Sequence, residues 1–203
     1  MGIYRRFVLP RVIDLAMRDK GATARRAGLV PQATGAVLEI GIGSGLNLPF
    51  YSAAVTRLRG VDPSAELLAM AGRKLGRVDF PVELSCESAE QLRLDDGSID
   101  TVVMTWVLCS IPNPDLALRE AKRVLKPAGR LLFVEHGYAP DPKVLTWQRR
   151  LNPLWRRIGG GCNLDRRMDA LIAAAGFHIE RLETSYLPGP RPMTYTYEGA
   201  ARA

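Results

Sequence analysis

Along this chain the apolar positions repeat with two different periods. From Leu9 to Arg26, Leu9, Val12, Ile13, Ala16 and Met17 recur at helical spacing, with Arg11, Arg18 and Lys20 between them. That is the pattern of an amphipathic helix with Pro10 tolerated in its first turn. "AVLEI" (Ala36 to Ile40) then reads as a short apolar strand, and a segment from Leu46 toward Ala54 is expected to be helical. "RLRGVD" (Arg57 to Asp62) is the next strand, and Pro63 to Leu75 reads as a helix with Pro63 and Ser64 at its start. Further strands are expected at Val82 to Ser85, Ile99 to Trp106 and Gly129 to His136. A helix from Asp115 to Leu125 stops at the breakers Lys126-Pro127-Ala128-Gly129. Strands alternating with helices predict an α/β fold, a parallel sheet covered on both faces.

The last third departs from that rhythm. Trp147, Leu151 and Trp155 form an apolar stripe on a helix from Lys143 to Arg157, which Pro153 is expected to kink. A helix from Leu164 to Ala175 ends at Gly176, and strands come next at Phe177 to Ser185 and Met193 to Ala201. The connector "YLPGPRP" is too short for a helical crossover, so these two strands should be antiparallel neighbours. Residues 1–30 are expected to form a helical lid over a domain spanning 31–203. The alternative for the basic, apolar N-terminal helix is peripheral contact with lipid.

Composition narrows the picture. The chain has 203 residues, 47% apolar and 24% charged, as expected of a globular protein with one main core. A net charge of +7 tolerates an anionic cofactor, nucleic acid or an acidic membrane. The arginines are dispersed in small groups without interleaved aromatics, so no nucleic-acid partner is expected. Cys86, Cys109 and Cys162 are odd in number and lack metal-type spacing, which reads as reduced thiols, a cytoplasmic protein and no metal site. No apolar run approaches the roughly 20 residues of a membrane span, and no signal-peptide pattern is expected at the N-terminus.

Candidate chemistry sits first in "LEIGIGSGLN" (Leu38 to Asn47). Between the first strand and the first expected helix of the sheet domain, Gly41, Gly43 and Gly45 let backbone N–H groups approach a ligand closely. A dinucleotide loop wants G-x-G-x-x-G; here the spacing is E-x-G-x-G-x-G. Glu39 argues against a pyrophosphate and for a cationic ligand group. Asp62, ending the second strand, is placed to accept both hydroxyls of a ribose. "SAE" (Ser88 to Glu90) could edge an adenine, and "MTWVLCSIP" walls the carboxyl edge of the sheet.

Taken together, E-x-G-x-G-x-G, Asp62, "DGSIDTVV" and "REAKRVLKPAGRLLFVEH" resemble the class I S-adenosylmethionine-dependent methyltransferases. The resemblance implies a Rossmann-like three-layer sandwich. Its seven-stranded, mostly parallel sheet would end in an antiparallel hairpin, and its cofactor would be S-adenosyl-L-methionine. It implies that Gly41, Gly43 and Gly45 approach the methionine moiety and that Asp62, with Pro63 beside it, holds the ribose. Ala89 and Glu90 would flank the adenine, and Thr105 and Leu108 would wall the cofactor. Many relatives carry aspartate where this chain has Ser88.

"VLCSIPNP", "EHG", "TWQRRLNPLWRRIGGGCNLDR" and "RPMTYTYEGAA" are similar to the thiol S-methyltransferases of animals, which carry an N-terminal membrane anchor that this chain is expected to lack. This implies methylation of a small thiol or sulfide. His136 is then the candidate base for the thiol, or alternatively bonds only backbone at a strand end. Cys109, Trp147, Cys162 and Asn163 are candidates for the acceptor pocket. For each a bland alternative stands beside it: wall or core packing for the cysteines and the tryptophan, a helix N-cap for Asn163. His178 reads as a surface residue. "GIGSGLNLPFY" also resembles bacterial phospholipid N-methyltransferases, so phosphatidylethanolamine and a quinone precursor are alternative acceptors. A non-catalytic cofactor-binding module is the non-enzyme alternative.

Overall fold

A computed structural model describes residues 4–203; of the expected lid, residues 1–3 lie outside the described residues. Seven strands form one sheet in the order β3-β2-β1-β4-β5-β7-β6. Strands β1 (Gly35–Ile40), β2 (Val55–Val61), β3 (Val82–Ser85), β4 (Ile99–Thr105) and β5 (Leu125–His136) are parallel. The final strand β7 (Tyr195–Arg202) inserts antiparallel between β5 and β6 (His178–Tyr186). The expected α/β sandwich with a C-terminal antiparallel hairpin is therefore the observed one.

Period-2 alternation divides the strand residues between two cores. Leu38, Ile40, Val102, Met104, Leu131 and Phe133 meet α4 (Pro114–Val124) and α6 (Met168–Ala174) on one face of the sheet. Val37, Val103, Leu132 and Val134 pack on the other face with Leu29, Val30, Leu58 and Leu68. Leu29 ends α2 (Lys20–Leu29), and Leu68 belongs to α3 (Ala65–Gly72). Ser64 caps α3 by accepting from the Leu67 N–H, as its place before the helix predicts.

Several expected boundaries shift for identifiable reasons. The N-terminal helix is two helices, α1 (Leu9–Ala16) and α2, because the Asp19 carboxylate accepts the N–H groups of Gly21 and Ala22 and starts a new helix. The helix expected from Leu46 toward Ala54 is only a single 3-10 turn, Leu48–Phe50, flanked by Asn47 and Tyr51, whose side chains both reach back to Glu39. Pro153 does not break α5 (Pro142–Ile158). The stretch Lys126 to Gly129 is absorbed into β5 as a register shift opposite Ile99 and Thr101. Helix α6 begins at Met168, since Asn163 and Leu164 are engaged elsewhere. Among the described residues no helix is long and apolar enough to cross a membrane.

Candidate active site

In an open parallel sheet, ligands bind beyond the carboxyl ends of the strands where the strand order reverses. Here the chain runs from β1 outward to β2 and β3, then returns to β4 on the other side of β1. A crevice of about 320 Å³ opens at that point. It is lined from the sheet by Glu39, Gly41, Gly43, Asp62, Pro63, Ala89 and Thr105, and from the N-terminal helices by Leu9, Ile13, Asp14 and Arg26.

The three loop glycines are needed for three different reasons. All have positive φ, the left-handed region that side chains disfavour. A Cβ on Gly41 would also overlap the Val107 side chain, and one on Gly45 would press to 2.8 Å from Leu48 Cδ1 and 3.2 Å from Ala71. A Cβ on Gly43 would meet only the Gly41 carbonyl at 3.8 Å, so it would project into the crevice. Gly45 accordingly packs the loop against α3 and does not line the crevice.

Asp62 holds the loop in place. Its carboxylate accepts the Gly43 N–H at 3.0 Å and the Ser64 N–H at 2.8 Å. Burial raises its pKa, and those two donors pull against the shift. Glu39, 1% exposed, accepts from Asn47 Nδ2 and from the Tyr51 hydroxyl, each at 2.8 Å. Desolvation pushes Glu39 up to about 7, opposed by those two hydrogen bonds and by the Arg26 charge.

Arg26 is a buried cation, 5% exposed, facing the same crevice. It donates to the Met17 carbonyl at 2.7 Å and stacks 4.8 Å over Trp106. Trp106 itself has φ 52, an uncommon conformation for a bulky residue and one found at functional sites. Arg26 Nε, Trp106 Nε1 and Asn47 Oδ1 are buried without a hydrogen-bond partner. Such groups are costly unless something completes them. The N-terminal helix is fastened over the crevice by Asp14, which accepts from Ser44 Oγ at 2.5 Å and from Arg18 at 2.7 Å. Lys74 donates to the Ser44 carbonyl at 2.5 Å and lies 3.8 Å from Asp14.

The other end of the crevice joins "VLCSIPNP" to "GGGCNLDR". Ser110, Ile111 and Pro112 line it together with Gly159 and Gly160. Buried Glu135 shapes the first segment by accepting the N–H groups of Val107 and Leu108 at 2.9 Å and of Cys109 at 3.3 Å. Arg166 Nη1 bonds the Leu108 and Ile111 carbonyls, and the Asn163 side chain bonds the Cys109 and Gly161 carbonyls. Asn163 is thus a buried tie between loops, and it does not cap α6, which starts at Met168 with Arg167 at the capping position. Cys109 and Cys162 touch each other behind this wall, where their contact and burial push the Cys109 thiol up.

Not every expected residue reaches the crevice. Leu108, Cys109, Cys162 and Asn163 stand behind its lining. Glu90 turns away and accepts the Asn113 N–H at 2.8 Å. Trp147 is 53% exposed on the outer face of α5, under Arg150, because Gln148 takes the inward position and bonds Ala139, Gly137 and Pro192. His136 does not line the crevice; its Nδ1 is buried without a partner, and burial lowers its pKa to about 4. Conversely, Asp14, Arg26, Asn47 and Trp106 were not singled out in the sequence. Asn47 and Trp106 lie inside stretches that were. Asp14 and Arg26 precede β1 and arrive only by tertiary packing.

The geometry is that of a nucleoside-binding crevice, and comparison with known proteins names the nucleoside. Residues 38–133 match the family model described as a methyltransferase domain. The human thiol S-methyltransferase TMT1A is 31% identical over 177 residues, 82% of this chain and 71% of that protein. The chain belongs to the class I S-adenosylmethionine-dependent methyltransferases.

Among other members of this family, the rat thiol S-methyltransferase TMT1B is 36% identical over 151 residues, 72% of this chain but only 62% of the relative's length. A phosphatidylethanolamine N-methyltransferase of Cereibacter sphaeroides is 38% identical over 114 residues, 55% of this chain and 56% of the relative. The fold matches an S-adenosylmethionine-dependent methyltransferase from Thermotoga maritima with a TM-score of 0.68 at 21% identity, covering 99% of this chain and 100% of the other.

The crevice of this methyltransferase fits the family's cofactor, S-adenosylmethionine. Asp62 suits a ribose, and Pro63, Leu67 and Ala89 give apolar surface beside it. Gly43 leaves room that a side chain would fill. Arg26 and Glu39 set a buried cation and a buried carboxyl at one end, complementary to an amino-acid group.

Proposed function

We propose that this methyltransferase transfers the methyl group of S-adenosylmethionine to the sulfur of a small, apolar thiol. The observation that carries the reading is that similarity to thiol S-methyltransferases extends over 72% and 82% of the chain, against 55% for the phospholipid enzyme. The acceptor end agrees in chemistry. Gly160 lies beside Ile13 and Leu9, at 3.5 and 3.6 Å from the position of a built Cβ, and Ile111 and Pro112 complete an apolar end suited to an uncharged acceptor.

When bound, the sulfonium cofactor supplies an already activated methyl, so that RSH and cofactor give RSCH3, S-adenosylhomocysteine and a proton. The chain itself has to bind, align and exclude water. Asp62 holds the ribose hydroxyls, with Gly41 and Gly43 allowing close approach of backbone. Arg26, with the Trp106 indole N–H, takes the carboxylate of the amino-acid end, while Glu39 and Asn47 face its ammonium. The inward side chains of the N-terminal segment, Leu9, Ile13 and Met17, act as the lid, closed through Asp14 and Ser44. Gly159, Gly160 and Ser110 leave the acceptor a narrow approach between the lid and the turn after β4. A cysteine-type thiol titrates near 8.5 and a simple alkyl thiol higher, so a small thiolate fraction exists at neutral pH without a dedicated base. A base role for His136 would require a group of pKa about 4 acting from outside the lining.

Turnover of labelled S-adenosylmethionine with alkyl thiols, hydrogen sulfide, phosphatidylethanolamine vesicles and a quinone precursor in parallel tests the proposal. Thiol methylation supports it. Transfer to lipid or quinone without transfer to any thiol overturns it, and cofactor binding without transfer to any acceptor favours a binding module.

A further inference from the structure

Helix α1 is apolar on two sides, and the crevice uses only one of them. Leu9, Pro10, Ile13 and Met17 face inward. Tyr4, Phe7, Val8, Val12 and Leu15 stand 41–74% exposed at spacings of i, i+3, i+4, i+8 and i+11, a second stripe along the π-helical turn Tyr4–Val8 and α1. On α5, Leu154 and Ile158 are 61% and 46% exposed. The two stripes meet where the Tyr4 hydroxyl donates to the Ile158 carbonyl at 2.8 Å. Apart from Trp147 elsewhere on α5, Leu116 and Leu182, the large apolar side chains exposed among the described residues all fall on these two stripes. A soluble surface scatters such residues singly; a contiguous patch marks an interaction site.

The border of the patch says what covers it. Arg11 and Arg18 on one segment and Arg156 and Arg157 on the other are all exposed, in a chain of net charge +7. An apolar stripe edged by arginines suits the headgroup region of an anionic bilayer, where apolar groups enter the acyl boundary and guanidinium groups meet phosphates. The same arginines would repel a second copy of this chain.

We propose that the outer face of the N-terminal lid, with the end of α5, is a peripheral docking surface for anionic membrane. The docked helix is also the crevice wall, since its opposite side carries Ile13 and Asp14, so lipid contact places the acceptor entrance between Leu9, Ile13 and Gly160 against the bilayer. An apolar acceptor dissolved in lipid then reaches the site without crossing water. The docking surface does not depend on which atom is methylated.

Co-sedimentation with vesicles tests this, comparing phosphatidylcholine alone with mixtures containing roughly one third phosphatidylglycerol. The expected result is binding to the anionic vesicles that weakens at high salt and falls at least about tenfold in the double variant Val12→Glu, Leu15→Glu. Calorimetric affinity for S-adenosylhomocysteine should be unchanged in that variant, which shows that it is folded. No binding to anionic vesicles overturns the proposal, as does binding that the double variant retains. A concentration-dependent dimer that the double variant abolishes also overturns it, because the patch would then belong to a second copy.

Discussion

Replacing Asp62 by asparagine removes one acceptor oxygen and one negative charge while keeping the shape of the side chain. In the wild type the two carboxylate oxygens each hold a backbone N–H, of Gly43 at 3.0 Å and of Ser64 at 2.8 Å. An asparagine can satisfy only one of them, and its NH2 group faces the other donor. The Gly43 N–H is the more exposed to loss, because Ser64 is also held as the cap of α3. Hydrogen bonds to a charged group contribute about 1.5–3 kcal/mol each, and the ribose hydroxyls lose a charged acceptor as well. A loss of about 2–4 kcal/mol in binding is therefore expected, a weakening of S-adenosylhomocysteine affinity by roughly 30- to 1000-fold. Titration calorimetry reads it directly. Folding should suffer less, because relief of a buried carboxylate, already raised in pKa by desolvation, offsets the orphaned N–H. The melting temperature should move by no more than about 2–4 °C for each kcal/mol of net change. The variant should weaken 5′-deoxy-5′-methylthioadenosine to the same degree, since that fragment keeps the ribose. Unchanged affinity in a folded Asp62→Asn protein would refute the ribose assignment.

Arg26→Gln should weaken S-adenosylhomocysteine by at least about tenfold, in the range of one lost charge-assisted bond, yet leave methylthioadenosine, which has no amino-acid end, within about twofold; equal losses for both ligands would show a merely structural role. Gly43→Ala puts a Cβ into the crevice at φ 54 and should cost about 1–2 kcal/mol of stability together with most cofactor affinity, measured by chemical denaturation and calorimetry. Glu39 is raised in the folded protein to about 7 from an ordinary 4.5, so its stabilising contribution is complete below pH 4.5 and is lost as pH rises through 7. The ligand-free protein should lose up to about 3 kcal/mol across that window on this account, and Glu39→Gln should flatten the profile; an identical pH dependence in the variant would contradict it. Asp14→Ala releases Ser44 and should speed proteolytic cutting near Met17 to Asp19, with protection no longer restored by S-adenosylhomocysteine to the wild-type level.

The sheet was legible because each strand carries its own signal. "AVLEI" and "IDTVVMTW" are buried on both faces and read as continuous apolar runs, and the short "YLPGPRP" connector forces an antiparallel hairpin. The turn after Leu46 was not legible: its conformation is set by Asn47 and Tyr51 bonding Glu39, contacts that local helical periodicity does not record. The break at Asp19 was a local signal, an N-cap within a pattern that otherwise continues as helix. At the site, Glu39, Gly41, Gly43 and Asp62 are close in sequence or sit at strand ends, where topology brings them together. Arg26 and Asp14 precede the first strand and reach the crevice by packing alone, so spacing could not reveal them. The reverse holds for His136 and Trp147. Each stands at a suggestive sequence position, but the pleat of β5 and the rotation of α5 turn them away.

Whether methyl transfer goes to sulfur is read on one apolar molecule that carries both a thiol and an amine uncharged at neutral pH, such as 4-aminothiophenol. After incubation with the protein and S-adenosylmethionine, tandem mass spectrometry locates the added methyl. The S-methyl product is expected, abolished in Asp62→Ala. Methyl on nitrogen would contradict it.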